Sequence, residues 1–120
     1  MTYVDGFVVP VRKAEFEAYR ALARKAAGLW LEHGAISHVE CLAEDVPYGE
    51  LTSFPRAVQL AEDEVVVLSW ITYQDRASRD AVMAKVMADP RFQDEMAGPP
   101  FNTQRMILGG FETFVESMRV

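Results

Sequence analysis

The stretch VVVLSWITY, residues 65–73, decides the fold of this chain, because it is apolar at both odd and even positions. Side chains alternate between the two sides of a β-strand, so this pattern predicts a central strand that is covered on both sides. One side carries Val65, Val67 and Ile71, and the other carries Val66, Leu68 and Trp70. Any fold proposed for the chain must therefore cover two apolar faces of one sheet.

The rest of the sheet is predicted from segments rich in β-branched and aromatic residues. Strands are expected at residues 3–10, 35–42 and 104–115. Residues 54–60 fit an optional extra strand, which Pro55 confines to an edge or a strand start because proline has no N–H to donate. The pair Gly109-Gly110 inside the last strand suggests a bulge or a close approach of the backbone.

Two helices are predicted from apolar spacing and from their end signals. Residues 12–33 carry apolar side chains at spacings of three and four, and Gly34 follows where a left-handed residue would end the helix. Residues 76–88 follow Asp75, a good N-cap, and stop before the sequence Asp-Pro. One further short turn is expected at residues 92–96.

The order of elements is β-α-β-(β)-β-α-β, and no repeat, low-complexity tract or linker marks a boundary. Two crossovers of the βαβ type around one antiparallel sheet give a ferredoxin-like α+β sandwich. We therefore expect one domain over residues 1–120.

The bare face of such a sheet predicts a homodimer. A ferredoxin-like domain places both helices on one face, so the other face of this sheet would expose an apolar patch larger than soluble monomers usually show. A two-fold dimer that packs sheet against sheet removes that patch from water and forms a dimeric α+β barrel. The alternative is a monomer whose bare face is covered by residues 43–60 and 98–104.

Composition limits the partners and the compartment. The 120 residues include 12 Lys and Arg against 18 Asp and Glu, and a net charge of −6 disfavours nucleic acid and anionic membrane surfaces. Cys41 is the single cysteine, and the sequence shows neither a secretory signal nor a run of about 20 apolar residues. We expect a cytoplasmic protein that binds neither nucleic acid nor membrane.

Several distinctive segments are distributed along the whole chain. They are YVDGFVVPV (3–11), SFPRAV (53–58), SWITY (69–73), RDAVMAKVMADPR (79–91) and RMILGGF (105–111). In this order they resemble the YbaA-like bacterial family, a domain of unknown function. The resemblance implies the dimeric α+β barrel architecture and no assigned activity. The wider superfamily of that fold includes cofactor-independent monooxygenases, haem-degrading enzymes and stress-response proteins without catalysis.

Polar side chains embedded in strands indicate a candidate ligand pocket between the sheet and the helices. Asp5 lies within a strand, where a carboxylate is costly unless it is paired, and Arg105 or Arg79 is the expected partner. In the functional interpretation, Trp70 supplies apolar contact and Arg105 holds an anionic or carbonyl oxygen. The candidate pocket residues are Asp5, Trp70, Tyr73 and Arg105, with Ser53 and Arg56 in a rim or lid loop.

A metal site is an alternative. His38 and Glu40 lie two residues apart on one face of a predicted strand, which suits two ligands of one ion, or simply an exposed polar face. A third ligand would come from Asp5, Glu112 or His33. Neither histidine lies on an apolar helix face as a haem ligand would, and Cys41 points away from His38. We expect no cofactor.

Three functions remain open on this basis, because no nucleotide-binding, metalloprotease or serine-hydrolase motif is present. The first is a small-molecule-binding or structural module without catalysis. The second is a cofactor-independent monooxygenase-like enzyme that acts on a small aromatic or quinol-type compound. The third is a metal-dependent activity that uses His38 and Glu40.

Overall fold

The computed structural model describes residues 1–119 and contains a four-stranded antiparallel sheet in the order β2-β3-β1-β4. The strands are β1 (Tyr3–Arg12), β2 (Ser37–Leu42), β3 (Glu64–Tyr73) and β4 (Ile107–Glu112). The helices are α1 (Phe16–Glu32), α2 (Phe54–Ala57), α3 (Arg76–Ala88) and α4 (Pro90–Glu95), and a short 3₁₀ turn, Lys13–Glu15, precedes α1. The predicted ferredoxin-like α+β fold with β3 inside the sheet is confirmed.

Most ends of the two long helices follow the predicted signals. The side chain of Asp75 accepts a hydrogen bond from the backbone N–H of Ser78 at 2.7 Å and starts α3. Gly34 has a φ of +119°, which an L side chain rarely adopts, and it lies just after the C-cap of α1. These signals mark the start of α3 and the end of α1. The predicted start of the first helix at residue 12 is wrong, because β1 extends to Arg12 and α1 begins at Phe16 without a side-chain cap.

Residues 54–60 are a correction, because this segment contains the helical turn α2 and no extra strand. The hydroxyl of Ser53 accepts the backbone N–H of Arg56 at 3.1 Å, which caps the turn. Pro55 falls in the first turn, where its missing N–H costs nothing. Pro55, the residue that limited the predicted strand, thus lies in the first turn of a helix that Ser53 caps.

The pairing between β1 and β3 decides which side chains share a face. Asp5 lies opposite Ile71, and Gly6 lies opposite Trp70, so Asp5 and Trp70 point to opposite sides of the sheet. The helix face is the side on which α1 and α3 pack, and its core includes Tyr3, Trp30, Ile71, Tyr73, Val82 and Val86. The open face is the other side, and its apolar residues include Val4, Val8, Leu68, Trp70, Ile107 and Phe111.

The two loops expected to compete for the open face cover little of it. Phe101 packs edge-on against Tyr19 of α1, with 5.7 Å between ring centres, so residues 98–104 reach the helix face instead. Residues 43–60 reach one end of the open face, where Val46 and Phe54 border a small cleft. Leu68, Ile107 and Phe111 remain 38%, 42% and 64% exposed. Apolar side chains of the open face therefore remain exposed to solvent in a single chain.

The glycine pair of the last strand accommodates a neighbouring ring. The register between β1 and β4 runs without interruption past Gly109 and Gly110. A Cβ on Gly110 would overlap the hydroxyl of Tyr3, so the close approach is the predicted alternative that the structure bears out.

Candidate functional site

A cavity of about 350 Å³ lies between the helix face of the sheet and the helices. Its walls are mostly apolar, and they include Trp30, Met83, Phe92, Met96 and Phe101. A few polar side chains also line it: Asp5, Tyr19, His38, Glu40, Ser69 and Arg79. An apolar cavity with few polar groups on a rigid sheet is the usual form of a small-molecule site.

Glu40 is the polar group at the centre of one cluster in this cavity. It lies on β2 opposite Ser69 of β3. The hydroxyl of Tyr19 donates to Oε1 of Glu40 at 2.7 Å, and Ser69 forms a second side-chain hydrogen bond. Burial raises the pKa of Glu40, while the hydrogen bonds from Tyr19 and Ser69 oppose the rise.

His38 lies beside Glu40 on the same face of β2, with 3.5 Å between its Nε2 and Oε2 of Glu40. Its side chain is 6% exposed, and its Nδ1 is buried without a hydrogen-bond partner. Burial lowers the pKa of His38, because the protonated ring loses its hydration. His38 is therefore a neutral imidazole at neutral pH.

Asp5 belongs to a separate cluster in the same cavity. Its carboxylate lies 3.1 Å from the guanidinium of Arg79, which also donates to the hydroxyl of Tyr3 at 3.2 Å. Burial raises the pKa of Asp5, and the Tyr73 hydrogen bond and the charge of Arg79 oppose the rise. Of the two partners predicted for Asp5, Arg79 is the one the structure provides.

The six residues predicted for one pocket lie in three different places. Asp5 lines the cavity, and Tyr73 lies fully buried behind it, where its hydroxyl accepts the indole N–H of Trp30 at 3.0 Å. Trp70 lies on the open face, so its assignment to this pocket is wrong. The sequence showed that Trp70 was apolar and mid-strand, but only the register shows its side of the sheet.

Arg105 was also placed wrongly beside Asp5. Its guanidinium pairs with Glu64 at 2.5 Å and donates to the backbone carbonyls of Val58 and Gln59. These bonds tie the segment after α2 to the start of β3. The side chain of Arg105 borders a separate cleft of about 710 Å³, which Asp5 does not line.

Ser53 and Arg56 lie in the segment around α2, away from the cavity. Ser53 caps that helical turn. Arg56 donates to the carbonyls of Tyr48 and Gly49, and its guanidinium lies over the Tyr48 ring at 4.2 Å. These contacts hold the loop together, and neither residue is among those that line the cavity.

The metal-site prediction lacks its third ligand. Within residues 1–119, no His, Cys, Asp or Glu ligand atom joins His38 and Glu40 closely enough to form a group of three. One such group does exist elsewhere, formed by Glu32, His33 and Asp89. The guanidinium of Arg91 lies against both of its carboxylates and holds the pKa of Asp89 well below its usual range.

Sequence reasoning missed Tyr19 and Ser69 as members of the site. Tyr19 belonged to the apolar stripe of α1, and its hydroxyl gave no separate signal. Ser69 is a small polar residue inside an otherwise apolar strand, which was a usable signal. His38 and Glu40 were singled out, but for metal binding rather than for an acid–base cluster.

Comparisons with known proteins place the chain in a family. The model of the family described as "Protein of unknown function (DUF1428)" matches residues 2–103. "Uncharacterized protein YbaA" of Escherichia coli strain K12 is 49% identical over 116 residues, which are 97% of this chain and 99% of that protein. The YbaA protein of Shigella flexneri matches equally well. The resemblance noted in the sequence is confirmed.

Solved structures with the same fold are remote in sequence. SnoaB, described as a cofactor-independent oxygenase from Streptomyces nogalater, has a TM-score of 0.64 at 13% identity, covering 96% of this chain and 95% of its own. A dimeric ferredoxin-like protein from an uncultured marine organism has a TM-score of 0.61 at 13% identity, covering 98% and 100%. At these identities the likeness concerns the fold alone. Separately, no helix within residues 1–119 is long and apolar enough to cross a membrane.

Proposed function

The chain belongs to the DUF1428 family of proteins of unknown function, and within it we propose that the cavity binds a small, flat, mostly apolar molecule. The observation that carries this proposal is the combination of apolar walls with a few buried polar groups on the sheet. A volume of about 350 Å³ falls at the lower end of the range for small-molecule sites, about 300–1,000 Å³. A one- or two-ring compound suits this volume.

The shape of the walls favours aromatic ligands. The rings of Trp30 and Phe92 lie edge to face, with 5.2 Å between centres, and both border the cavity. Met83 and Met96 add flexible, polarisable side chains that adapt to an irregular ligand. Flat rings gain contact with both kinds of wall.

Tryptophan fluorescence tests ligand binding directly, because the two tryptophans lie on opposite sides of the sheet. In a Trp70→Phe background, Trp30 is the remaining tryptophan, and 2-tetralone or 2-naphthol should quench it saturably. The same probes should raise Tm, because a ligand that binds the folded state stabilises it. If neither probe quenches Trp30 or raises Tm, the proposal is wrong.

A matched pair of alanine variants on α1 locates the bound probe. Ala26 lines the cavity and Ala21 is exposed on the same helix. Ala26→Leu should weaken quenching at least tenfold by filling the cavity, whereas Ala21→Leu should leave it unchanged. Equal effects of the two variants would place the probe elsewhere.

A cofactor-independent oxygenase reaction is the second candidate, favoured by a buried acid–base cluster in a fold that also carries such an oxygenase. A naphthoquinol would supply the electrons, one oxygen atom of O₂ would enter the ring as a hydroxyl, and the other would leave as water. The product from 1,4-naphthoquinol is 2-hydroxy-1,4-naphthoquinone, which chromatography can measure. Product formation no faster than without protein would remove this candidate.

We also propose that two chains pair through the open face. Leu68, Ile107 and Phe111 leave an apolar surface uncovered, and one structure of the same fold is described as dimeric. Light scattering should report twice the 13.5 kDa mass of the chain. Leu68→Glu should give the single-chain mass, whereas Leu31→Glu, at an exposed position on α1, should not. A single-chain mass for the unmodified protein at micromolar concentration would contradict the dimer.

A cytoplasmic location without a nucleic-acid partner completes the proposal. It is supported by the single cysteine and by the net charge of −6. Fractionation of cells that express the full chain should recover it with cytoplasmic markers, and recovery with periplasmic markers would contradict the location.

A further inference from the structure

Glu40, whose side chain is 23% exposed, differs from the buried carboxylates Asp5, Glu64 and Asp89 in the partners that surround it. The carboxylates that have an arginine are Asp5 with Arg79, Glu64 with Arg105 and Asp89 with Arg91. Within residues 1–119, the one basic side chain within ion-pair distance of Glu40 is His38, at 3.5 Å. A carboxylate inside an apolar cavity is costly without a cation, so its presence there requires an explanation.

His38 does not supply that cation. A protonated ring would bury the N–H at Nδ1 without an acceptor, which costs free energy. In a neutral ring with its hydrogen on Nε2, Nδ1 is an acceptor and Nε2–H faces Oε2 of Glu40. A neutral His38 therefore leaves the charge of the Glu40 carboxylate uncompensated.

Two hydroxyl groups also hold Glu40 without neutralising it. Tyr19 and Ser69 fix the carboxylate against the sheet, and burial leaves its pKa above the ordinary value for glutamate. The remaining charged groups that line the cavity are Asp5 from β1 and Arg79 from α3, and they pair with each other. Arg20 and Arg24 of α1 border a second cleft that Glu40 also lines, and neither guanidinium lies within ion-pair distance of its carboxylate. Glu40 is thus a positioned base with greater basicity than an exposed glutamate.

We propose that Glu40 is the general base of the cavity, acting on a flat ring compound that has a C–H bond next to a carbonyl group. The inference rests on the binding of such a compound in the cavity, as proposed above. A buried carboxylate of raised basicity is well matched to a weakly acidic C–H, and apolar walls suit a ring ketone.

The proposed step is a proton transfer with no change of oxidation state. The C–H bond beside the carbonyl breaks, and the proton goes to the carboxylate of Glu40. The electron pair of that bond forms the double bond of an enolate, and the carbonyl oxygen takes the negative charge. Return of a proton from the Glu40 carboxyl to carbon restores the ketone or gives its isomer.

Hydrogen–deuterium exchange of 2-tetralone in D₂O, followed by proton NMR, tests this step with the full chain. The unmodified protein should accelerate loss of the signal next to the carbonyl at least tenfold over buffer. Glu40→Gln should return the rate to that of buffer while 2-tetralone still quenches Trp30. Glu62→Gln, at an exposed position, should exchange like the unmodified protein.

The outcomes separate this inference from the binding proposal. Acceleration that survives Glu40→Gln, or binding without any acceleration, overturns the role of Glu40 and leaves ligand binding intact. Absence of Trp30 quenching overturns both. If Glu40→Gln does not fold, Glu40→Asp keeps the carboxyl but shortens its reach, and an exchange rate reduced less than tenfold would contradict the proposal.

The dependence of exchange on pH gives an independent readout. The rate should fall as the pH is lowered through the raised pKa of Glu40, because the protonated carboxyl cannot accept a proton. Burial also raises the pKa of Asp5 in the same cavity, so the transition is assigned to Glu40 by its upward move in Tyr19→Phe, which removes a hydrogen bond to Glu40 and none to Asp5. A rate that is the same above and below the pKa of Glu40 would overturn the assignment.

Discussion

Glu40 and Glu64 are both glutamates in strands of one sheet, and both are largely removed from water, yet their surroundings differ. Glu64 receives two N–H groups of Arg105, at 2.9 and 2.5 Å, and these bonds hold the pKa of Glu64 below its usual value. Glu40 receives uncharged donors, and burial raises the pKa of Glu40. The comparison shows that one sheet holds one carboxylate against an arginine and another against uncharged hydroxyl groups, and that their pKa values move in opposite directions.

The largest effect on stability is expected at the Asp5–Arg79 pair. Like Glu64 with Arg105, this pair joins a buried carboxylate to an arginine. Arg79→Met would leave Asp5, which is 5% exposed, without its cation. We expect a loss on the order of 3 kcal/mol in the free energy of unfolding, measured by urea denaturation at pH 7. Arg76→Met, an exposed position on the same helix, should change it by less than about 0.5 kcal/mol. Equal losses in the two variants would refute the structural role of the pair.

Glu64→Gln removes the ion pair between β3 and Arg105 and should cause the next largest loss in the free energy of unfolding. The lowered pKa of Glu64 in the folded state stabilises the fold above the unfolded value of about 4.3, and this contribution is lost as pH falls through the folded value. We expect a loss of about 2 kcal/mol at pH 7 that shrinks toward zero in acid.

Denaturant titrations at several pH values measure this loss. Glu62→Gln is the control, because that carboxyl is exposed. If the loss for Glu64→Gln is the same at every pH, the charge of Glu64 in its pair with Arg105 does not contribute to the free energy of unfolding.

Glu40→Gln should show the opposite pH dependence and gain stability relative to the unmodified protein as the pH rises. A raised folded-state pKa stabilises the fold below the unfolded value of about 4.3, and that contribution is lost as pH rises through the folded value. The variant should therefore gain over the unmodified protein as pH increases, by about 1.4 kcal/mol for each unit of pKa elevation. Thermal unfolding at pH 4 and pH 8 measures this gain. A stability difference that does not move in favour of the variant between pH 4 and pH 8 would contradict it.

Tyr19→Phe should have the smallest effect on stability, and it tests whether the Tyr19 hydroxyl lowers the pKa of Glu40. The lost hydroxyl donates to Glu40 at 2.7 Å and stabilises its charged form. Without it, the pKa of Glu40 should rise further, and the pH profile of 2-tetralone exchange should move upward by the same amount. Tyr48→Phe, at an exposed position outside the cavity, should leave the profile unchanged.

Much of the fold was predictable because helix caps, helix breakers and apolar patterns within short segments of the sequence determine it. Residues 76–88 form α3 with the predicted bounds, since Asp75 caps one end and Asp89-Pro90 closes the other. The two-sided apolar pattern of residues 65–73 correctly predicted which side chains share a face. The strand predicted at residues 54–60 was wrong, because the same Ser-Phe-Pro sequence suits both a strand edge and a capped helical turn.

The candidate site was less predictable because it depends on which strands pair and in what register. Asp5 and Trp70 are each embedded in a strand, but the register places them on opposite sides of the sheet. Arg105 could pair with any nearby carboxylate, and only the tertiary fold selects Glu64. Glu40 and His38 showed their shared face in the sequence, while the helix that covers them supplies Tyr19 from far along the chain.

Titration of the glutamate side-chain carboxyl carbons by carbon-13 NMR measures whether Glu40 is more basic, and Glu64 less basic, than an ordinary glutamate. Signals are assigned by their loss in Glu40→Gln and in Glu64→Gln. The account predicts that Glu40 titrates above the ordinary glutamate value of about 4.3 and that Glu64 titrates below it in the same sample. A Glu40 midpoint at or below the ordinary value would contradict the account.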